Sequence, residues 1–352
     1  MHLKILLLLF ININLNLGLP IFAMVSPGQP TFPIPFYNDV ERGICFCNAI
    51  FQCLLQCPKF CLFIDQIKEP KNGLEVQLKI LRENLLRFSC DEELLWSFLN
   101  KPSKKLADPR ISELRDQIIN CSNSPCWEIF KYMNSMYRQE IGDCGFGGIP
   151  LLSEYLLLKE ISGSELKAFF YSHEQNTLLS LKKIMRLPMK NGVQYIYGDS
   201  RLCVQGFNDY GLNFFLLFIP SLDLFIVKPI SEPMYNPDIF YKIISSLESV
   251  FTQISFTYGT EKTYKLKAVK CSTKLGVGLN PAETVSSAFC GHCAAYVNYN
   301  NSWFFCDDFF RECQGRPLIR KIPGNTRNML DDLIYKEQLD CGVLFFWPDA
   351  LD

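Results

Sequence analysis

Histidine is scarce in this chain, and so is an excess of charge of either sign. Only three histidines occur in 352 residues, His2, His173 and His292, which leaves little material for a His-rich metal site or a network of imidazole bases. The 35 Lys and Arg residues balance 36 Asp and Glu residues without any basic block, which argues against electrostatic binding of nucleic acid. The 14% aromatic content argues against a disordered chain. We therefore expect a globular protein, long enough for one large domain or two ordinary ones.

Long hydrophobic runs are missing outside the N-terminus. Residues Met1–Ala23 carry one early cation, Lys4, followed by apolar stretches that asparagines interrupt. This layout is typical of a secretory signal peptide cleaved near Ala23, and it is too short and polar to indicate a membrane span. An uncleaved anchor and a non-targeting N-terminus are the alternatives. The pattern predicts a secreted or secretory-pathway protein with no stable membrane insertion after leader removal, or a cytoplasmic protein if the leader does not function.

Cysteine, in contrast, is abundant, with 16 residues. In a chain that enters the secretory route this number is compatible with a disulfide framework, and glycosylation sequons begin at Asn120 and Asn300. Many of the cysteines fall inside apolar runs, as Cys53 and Cys306 do, where a free cysteine behaves as a small buried hydrophobe. We therefore predict that most of the cysteines are buried free thiols and not disulfides.

The apolar spacing changes halfway along the chain. After a Pro- and Gly-rich lead-in over residues 24–35, apolar residues recur at spacings of three and four, which predicts helices. The predicted helices are Ile44–Cys57, Leu74–Leu86, Asp91–Leu99, Ser112–Ile119 and Trp127–Tyr137. Later segments rich in Phe, Tyr, Val and Ile predict strands. The predicted strands are Ala168–Tyr171, Val193–Tyr197, Asn213–Ile219, Leu222–Val227, Tyr264–Val269, Ala294–Tyr299, Ser302–Phe305 and Val343–Trp347. Helices followed by an antiparallel sheet indicate an α+β fold.

The first segment with candidate chemistry is Gly43–Leu55, a loop that runs into a helix. We expect Cys45 at the helix N-terminus, where free backbone N–H groups and the positive end of the helix dipole stabilise a thiolate. The lowered thiol pKa would suit a nucleophile near neutral pH. A cysteine that begins a helix is more often a packing residue, so Cys45 alone does not identify a catalytic site.

The second segment pairs His292 with Asp307. A strand begins at His292, a hairpin turn is predicted over Asn298–Asn301, and the returning strand ends at Asp307. Antiparallel neighbours joined in this way bring the two side chains together. The carboxylate would fix the imidazole tautomer and stabilise the imidazolium that forms when a thiol gives up its proton. Taken singly, His292 is better interpreted as a satisfied strand residue and the Asp307-Asp308 pair as a solvated strand end.

Together the two segments resemble the sequence boxes of the ubiquitin-specific protease family, the papain-like deubiquitinases. The first box of that family contains Gly, the catalytic Cys, an aromatic residue, Asn, a small residue and Gln. Its second box contains Tyr-x-Leu-x-Ala-Val, Gly-His-Tyr-x-Ala-Tyr-Val, and a Trp before paired acidic residues. The matching residues are Gly43, Cys45, Phe46, Asn48, Ala49 and Gln52, then Tyr264–Val269, Gly291–Val297, Trp303, Asp307 and Asp308. With strands similar to Phe215–Pro220 and Val343–Phe346, the resemblance spans about Phe36 to Trp347.

The resemblance implies a papain-like cysteine protease fold over residues 36–352, with a helical thumb at 36–164 and an antiparallel-sheet palm and fingers at 165–352. It implies Cys45 as nucleophile, His292 as general base and acid, and Asp307 as the orienting carboxylate, assisted by Asp308. The reaction would be thiol-dependent hydrolysis after the C-terminal glycine of ubiquitin, through a thioester and without metal or organic cofactor. Ubiquitin or ubiquitinated proteins would be the partners.

Several positions depart from the family pattern. An Asn five residues before the nucleophile helps to stabilise the oxyanion in the family, but that position is Val40, which cannot donate a hydrogen bond. Loss of one oxyanion donor typically costs about 10²–10³ in rate. The nearest amides, Asn38 and Asn48, are therefore the candidates for that role, beside the backbone N–H of Cys45.

Two further departures concern regulation and metal. Cys293 stands where the family has Tyr after the catalytic His, and the preceding Cys271–Cys290 stretch is long and Gly-containing, which predicts either a mobile lid or simple loop drift. Paired cysteines with zinc-knuckle spacing are missing outside the Cys290-x-x-Cys293 element around His292, so no structural zinc is expected.

Three functions remain open on the sequence. The first is an active deubiquitinase. The second is a catalytically weak or inactive relative that still binds ubiquitin or a ubiquitin-like modifier, which the Val40 substitution would favour. The third is a secreted, disulfide-containing protein that uses the fold for another purpose, which the leader and the sequons would favour.

Overall fold

A computed structural model describes eleven parts of the chain. These are residues 32–38, 44–100, 109–141, 157–162, 165–180, 213–229, 236–259, 262–273, 292–308, 318–337 and 339–349. The predicted leader Met1–Ala23, the predicted strand Val193–Tyr197 and most of the predicted Cys271–Cys290 lid lie outside the described residues, so these predictions are not tested.

Five of the seven described helices precede the sheet along the chain. The seven helices are α1 (Cys45–Leu54), α2 (Pro58–Gln66), α3 (Gly73–Arg87), α4 (Glu92–Asn100), α5 (Pro109–Ile141), α6 (Pro237–Thr257) and α7 (Thr326–Asp331), with a further helical stretch at residues 157–162 and a π-helical turn at Asp332–Lys336. Local sequence sets several boundaries. Asn72 caps α3 by accepting a hydrogen bond from the Glu75 N–H, and Asn236 caps α6 just before Pro237 at its first turn.

Nine described strands form one antiparallel sheet. They are β1 (Lys167–Ser172), β2 (Thr177–Ser180), β3 (Phe214–Ile219), β4 (Leu224–Pro229), β5 (Tyr264–Thr273), β6 (Cys293–Tyr299), β7 (Ser302–Cys306), β8 (Ile319–Ile322) and β9 (Leu339–Pro348). Their order is β2-β1-β3-β4-β9-β5-β6-β7-β8, and every neighbouring pair is antiparallel. Helices and an antiparallel sheet confirm the α+β class.

The sheet is covered on both faces, which explains its uniformly apolar central strands. In β3 all six residues are buried; Phe215, Leu217 and Ile219 pack into the cluster around α1, whereas the alternate residues pack into the cluster around α6. Successive side chains on a strand point to opposite faces, so a strand buried on both faces needs apolar residues at every position. The sheet therefore lies between two hydrophobic cores.

The structure differs from the predicted helices in several places, and α2 and α7 were not predicted. The helices predicted at Ser112–Ile119 and Trp127–Tyr137 are parts of one helix, α5, which continues through Pro125. The second half of the chain was predicted as strands, but it contains the 21-residue helix α6, whose Phe240, Leu247 and Phe251 face the sheet. Packing against the sheet stabilises this helix despite its β-branched and aromatic residues.

Cysteines in the described residues are free thiols. Twelve cysteines are described, ten of them buried, as expected for small apolar core residues. In the same parts of the chain, no single helix is long and apolar enough to cross a membrane; α1 and α2 meet the length and composition criteria only as a pair bent by 97°.

Candidate active site

The β6–β7 hairpin places His292, Asp307 and Asp308 at one end of the sheet. Its turn residues Asn300 and Asn301 both have positive φ, 50° and 59°, a conformation that asparagine tolerates better than most residues and that matches a tight hairpin. Tyr299 pairs with Ser302, so His292 just before β6 and the two aspartates just after β7 come together. The predicted hairpin geometry is therefore present.

His292 and Asp307 are directly hydrogen-bonded. Nε2 of His292 lies 2.6 Å from Oδ1 of Asp307 and 3.8 Å from Oδ1 of Asp308. The imidazole side chain is 27% exposed, whereas the two carboxylates are nearly buried. This contact orients the imidazole ring through Nε2. The other ring nitrogen, Nδ1, therefore points away from Asp307.

Two asparagines hold Asp308 in its buried position. The Asn48 amide donates to Oδ2 of Asp308 at 2.8 Å and to the Tyr37 carbonyl at 2.9 Å, so both of its N–H bonds are engaged. Asn38 donates from its side chain to Oδ1 of Asp308 at 3.5 Å, and its backbone N–H donates to the Asp308 carbonyl at 3.1 Å. The amide oxygens of Asn38 and Asn48 are buried without a hydrogen-bond partner in the described parts of the chain. These contacts fasten Tyr37 and Asn38, which lie before α1, and α1 itself to the end of β7.

Burial and mutual charge raise the pKa values of the acid/base groups. Burial raises the pKa of Asp308 to about 7, although the His292 charge and the Asn48 hydrogen bond act in the opposite direction. Burial by itself would lower the pKa of His292, but the hydrogen bond and charge of Asp307, with the charge of Asp308, raise it to about 9. Near neutral pH the imidazole therefore carries a proton, and Asp308 is divided between its two protonation states.

The structure places Cys45 at the first residue of α1, as predicted, and beside Cys293. The Cys45 sulfur is hydrogen-bonded to the Cys293 thiol and to the Cys293 backbone N–H. Cys293 directly follows His292 in the chain and begins β6. The helix start and the strand start thus bring Cys45 to the peptide that carries His292.

The expected lowering of the Cys45 pKa is wrong. The side-chain hydrogen bond with Cys293 raises the pKa of Cys45, burial raises it further, and the negative charge of Asp308 adds to both effects. The hydrogen bond from the Cys293 backbone N–H lowers the pKa of Cys45, but by less than the other effects raise it. The helix dipole at Cys45 follows from the local sequence, whereas the approach of the second thiol depends on tertiary packing and cannot be predicted from it.

A small, partly open cleft adjoins this group of residues; its lining includes Phe36, Asn48, Gln52, Cys293, Asp307 and Asp308. The ligand atoms of His292, Asp307 and Asp308 lie within 4.8 Å of one another, a distance within reach of a single metal ion. However, the 2.6 Å hydrogen bond pairs His292 with Asp307, which fits a proton-transfer pair better than a preformed cation cage. Gly43 and Val40, from the sequence argument, lie outside the described residues.

Comparison with known proteins adds little. No protein-family model matches the chain, and no curated protein sequence matches it. Among solved structures, the chain is similar to a yeast SAGA deubiquitinase module with a mutant Sgf73, at 10% sequence identity and a TM-score of 0.33 over 92% of this chain and 69% of that one. A likeness this remote carries no functional argument.

Proposed function

We propose that the protein is a cysteine-type deubiquitinase with a papain-like fold, in which Cys45, His292 and Asp307 form the catalytic triad. The observation that carries the proposal is the 2.6 Å contact between His292 and Asp307 at the open end of the β6–β7 hairpin. Cys45 interacts with Cys293, the residue after His292, at the same end. The order of the two boxes and their resemblance to ubiquitin-specific proteases support the same assignment. Residues 36–164 would then form the thumb, and residues 165–352 the palm and fingers.

In the proposed mechanism, Asp307 holds His292 through Nε2. The imidazolium first releases its Nδ1 proton to solvent, and the neutral ring then accepts the proton of the Cys45 thiol. The thiolate attacks the carbonyl carbon of the C-terminal glycine of ubiquitin, and the imidazolium then protonates the departing amine. A thioester remains. Water activated by His292 hydrolyses this thioester and restores the thiol. The residues themselves supply all of these proton transfers, so the proposal includes no metal or organic cofactor.

The oxyanion of each tetrahedral intermediate needs at least one hydrogen-bond donor. Asn48 is the weaker candidate, because its two N–H bonds already serve Tyr37 and Asp308. Asn38 makes only a long side-chain contact with Asp308, 3.5 Å, which would be given up at small cost. We assign the oxyanion role to Asn38 together with the backbone N–H of Cys45.

A specific observation favours a second candidate, a slow or inactive relative that binds ubiquitin. The Cys45 side chain is buried, and its raised pKa keeps the thiol neutral near pH 7. A neutral thiol is a poor nucleophile, so turnover would require the substrate tail to rearrange the Cys45–Cys293 contact. Binding and catalysis would then be separable properties of this site.

Reaction of the reduced full chain with ubiquitin that carries a thiol-reactive C-terminus tests both candidates. We expect a covalent adduct that is lost in Cys45→Ala and His292→Ala and retained in Cys90→Ala, which removes a partly exposed thiol in the loop between α3 and α4. An adduct that survives Cys45→Ala would overturn the assignment of the nucleophile. Ubiquitin binding by calorimetry without adduct formation, in a folded protein, would select the binding-only candidate. Lack of both would reject ubiquitin as the partner.

A further inference from the structure

A buried lysine lies beneath the start of α1. Lys270, on β5, is 6% exposed, and no other lysine or arginine in the parts of the chain that the structure describes is buried. Burial of a lysine is rare, because removal of its charge from water is costly. Val269 and Cys271, on either side of it, pack in the cluster around α6, so the Lys270 side chain lies on the opposite face of the sheet, towards α1.

The sheet is irregular at Lys270. Lys270 pairs with Val343 of β9, but the next residue, Cys271, pairs with Cys341, which leaves Gly342 as an additional residue on β9. A Cβ at Gly342 would lie 3.1 Å from the Lys270 carbonyl oxygen, so the glycine permits this close approach of the two strands. Bulges of this kind bend a strand and change the direction of its side chains, and they are common next to active sites.

The ammonium group of Lys270 contacts an aromatic ring beside the candidate nucleophile. Its Nζ lies 5.7 Å from the centre of the Phe46 ring, and Phe46 directly follows Cys45 in the first turn of α1. The attraction between a cation and a ring face is strongest where water is excluded, as it is around Lys270. Phe130 of α5 packs against the same ring, edge-on, at 5.6 Å between ring centres. The Phe46 ring is therefore held by both β5 and α5.

The first turn of α1 depends on such tertiary contacts. No side chain caps its N-terminus, and the first turn contains no acidic residue. Helix ends without a cap leave backbone N–H groups unpaired and are less firmly held. Asn48 fastens the turn to Asp308 on the side of β7, and Phe46 contacts Lys270 on the side of β5. The position of Cys45 is thus set from two sides of the sheet face.

We propose that Lys270 is a positioning residue, whose contact with Phe46 fixes the first turn of α1 and so the position of Cys45 relative to His292. The inference rests on the proposed function, because it takes Cys45 to be the nucleophile. Replacement of a buried charged group by an apolar side chain of similar volume is often neutral or stabilising. A loss of rate without a loss of stability therefore distinguishes positioning from packing.

The test measures adduct formation between the reduced full chain and the thiol-reactive ubiquitin at several ubiquitin concentrations. Lys270→Met should lower the maximal rate constant about tenfold, because a small displacement of a reacting group slows its reaction strongly. The half-saturating ubiquitin concentration should not change, because Lys270 is buried, and the urea midpoint should be equal or higher. Lys270→Arg keeps the cation on the ring and should restore most of the rate. As a matched control, Lys167→Met removes a similar pair near the opposite edge of the sheet, with Nζ 5.9 Å from the Tyr258 ring, and should behave like the unaltered chain.

A double-mutant cycle with Phe46→Leu decides the assignment even where arginine does not fit the buried position. Once the ring is removed, Lys270→Met should lower the rate constant further by less than about twofold. Equal losses in both backgrounds would show that Lys270 does not act through Phe46 and would overturn the inference.

The remaining outcomes separate this inference from the proposed function. An unchanged rate constant in Lys270→Met, or a loss that parallels a lower urea midpoint, would overturn the positioning role while the proposed function stands. If the unaltered, folded chain forms no adduct, the proposed function fails and the positioning role fails with it.

Discussion

At the scale of single residues, the candidate site is a group of buried polar side chains that share protons. Asp308 receives hydrogen bonds from Asn38 and Asn48, and His292 bonds to Asp307. An unpaired buried carboxylate would cost several kcal/mol, so these contacts are a condition for keeping Asp308 inside the protein. The protonation states of Asp308 and His292 therefore affect both the stability of the fold and the chemistry of the site.

The pH dependence of unfolding follows from the raised pKa values. Folded Asp308 holds its proton up to about pH 7, whereas an unfolded Asp releases it near pH ~4, so stability falls as pH rises between these values. The stability that His292 gains in the folded state is complete below pH ~6.5 and is lost as pH rises through about 9. Both groups make the free energy of unfolding decrease with pH, by at most a few kcal/mol each, on the order of 1.4 kcal/mol per unit.

Asp308→Asn should flatten this decrease between about pH 5 and 7, because it removes one of the two titrations. Asn48→Ala should act in the opposite direction and move the decrease to higher pH, because the Asn48 hydrogen bond lowers the pKa of Asp308. Urea unfolding at several pH values measures both slopes, and the slope is diagnostic whatever the absolute stability. Identical slopes for the unaltered chain and Asp308→Asn would show that Asp308 does not carry this linkage.

The sequence predicted one contact in this site and missed another for a physical reason. A short hairpin with an Asn-Asn turn fixes the register, so the approach of His292 to Asp307 follows from local sequence. The contact between Cys45 and Cys293 joins two elements across the fold and depends on how α1 packs on the sheet. The catalytic roles of the site residues stay predictions.

At the scale of elements, α5 shows how a proline is tolerated inside a helix. Pro125 has no N–H, so the carbonyl of Cys121, four residues earlier, has no intrahelical donor. The Asn84 side chain of α3 donates to this carbonyl at 3.1 Å. A neighbouring helix thus replaces the missing hydrogen bond, which explains why the two predicted helices are one.

Asn84→Ala should lower the free energy of unfolding by about 1–2 kcal/mol, because it leaves the Cys121 carbonyl unpaired in a mostly buried position. In a Pro125→Ala background the backbone N–H of Ala can bond that carbonyl, so Asn84→Ala should cost less there by about 0.5–1 kcal/mol. Urea unfolding of the four proteins measures this coupling. Strictly additive effects would contradict the proposed compensation.

Strands were easier to predict than the later helix. Turn residues separate the apolar runs of β3, β4, β6 and β7, so their bounds fall within a few residues of the predicted ones. Helix α6 is rich in Ile, Val, Phe and Thr, which favour strands by intrinsic propensity, and this composition concealed its apolar period of three to four. The Asn236 cap and Pro237 were the local signals that could have revealed it.

At the scale of the whole molecule, one sheet supplies residues to both hydrophobic cores. The central strands β3, β4, β5 and β9 send alternate residues to opposite faces, so loss of one core removes support from the other. The candidate site lies at the end of β6 and β7, which belong to the same sheet. We therefore expect the described sheet and its two helical layers to unfold together, with the site retained until the global transition.

Phe251 on α6 tests this coupling far from the site. Its ring is buried and stacks on Phe225 at 4.3 Å between ring centres, so Phe251→Leu should cost about 1–2 kcal/mol through lost packing. Phe256 on the same helix is 69% exposed, and Phe256→Ala should change stability by less than about 0.5 kcal/mol.

Tryptophan fluorescence reports from both cores, since Trp303 packs in the α6 cluster and Trp96 against the α1 cluster. Phe251→Leu should shift the fluorescence and far-ultraviolet dichroism transitions by the same amount, because the sheet shares its strands between the cores; separate transitions would mean that the two faces fold independently.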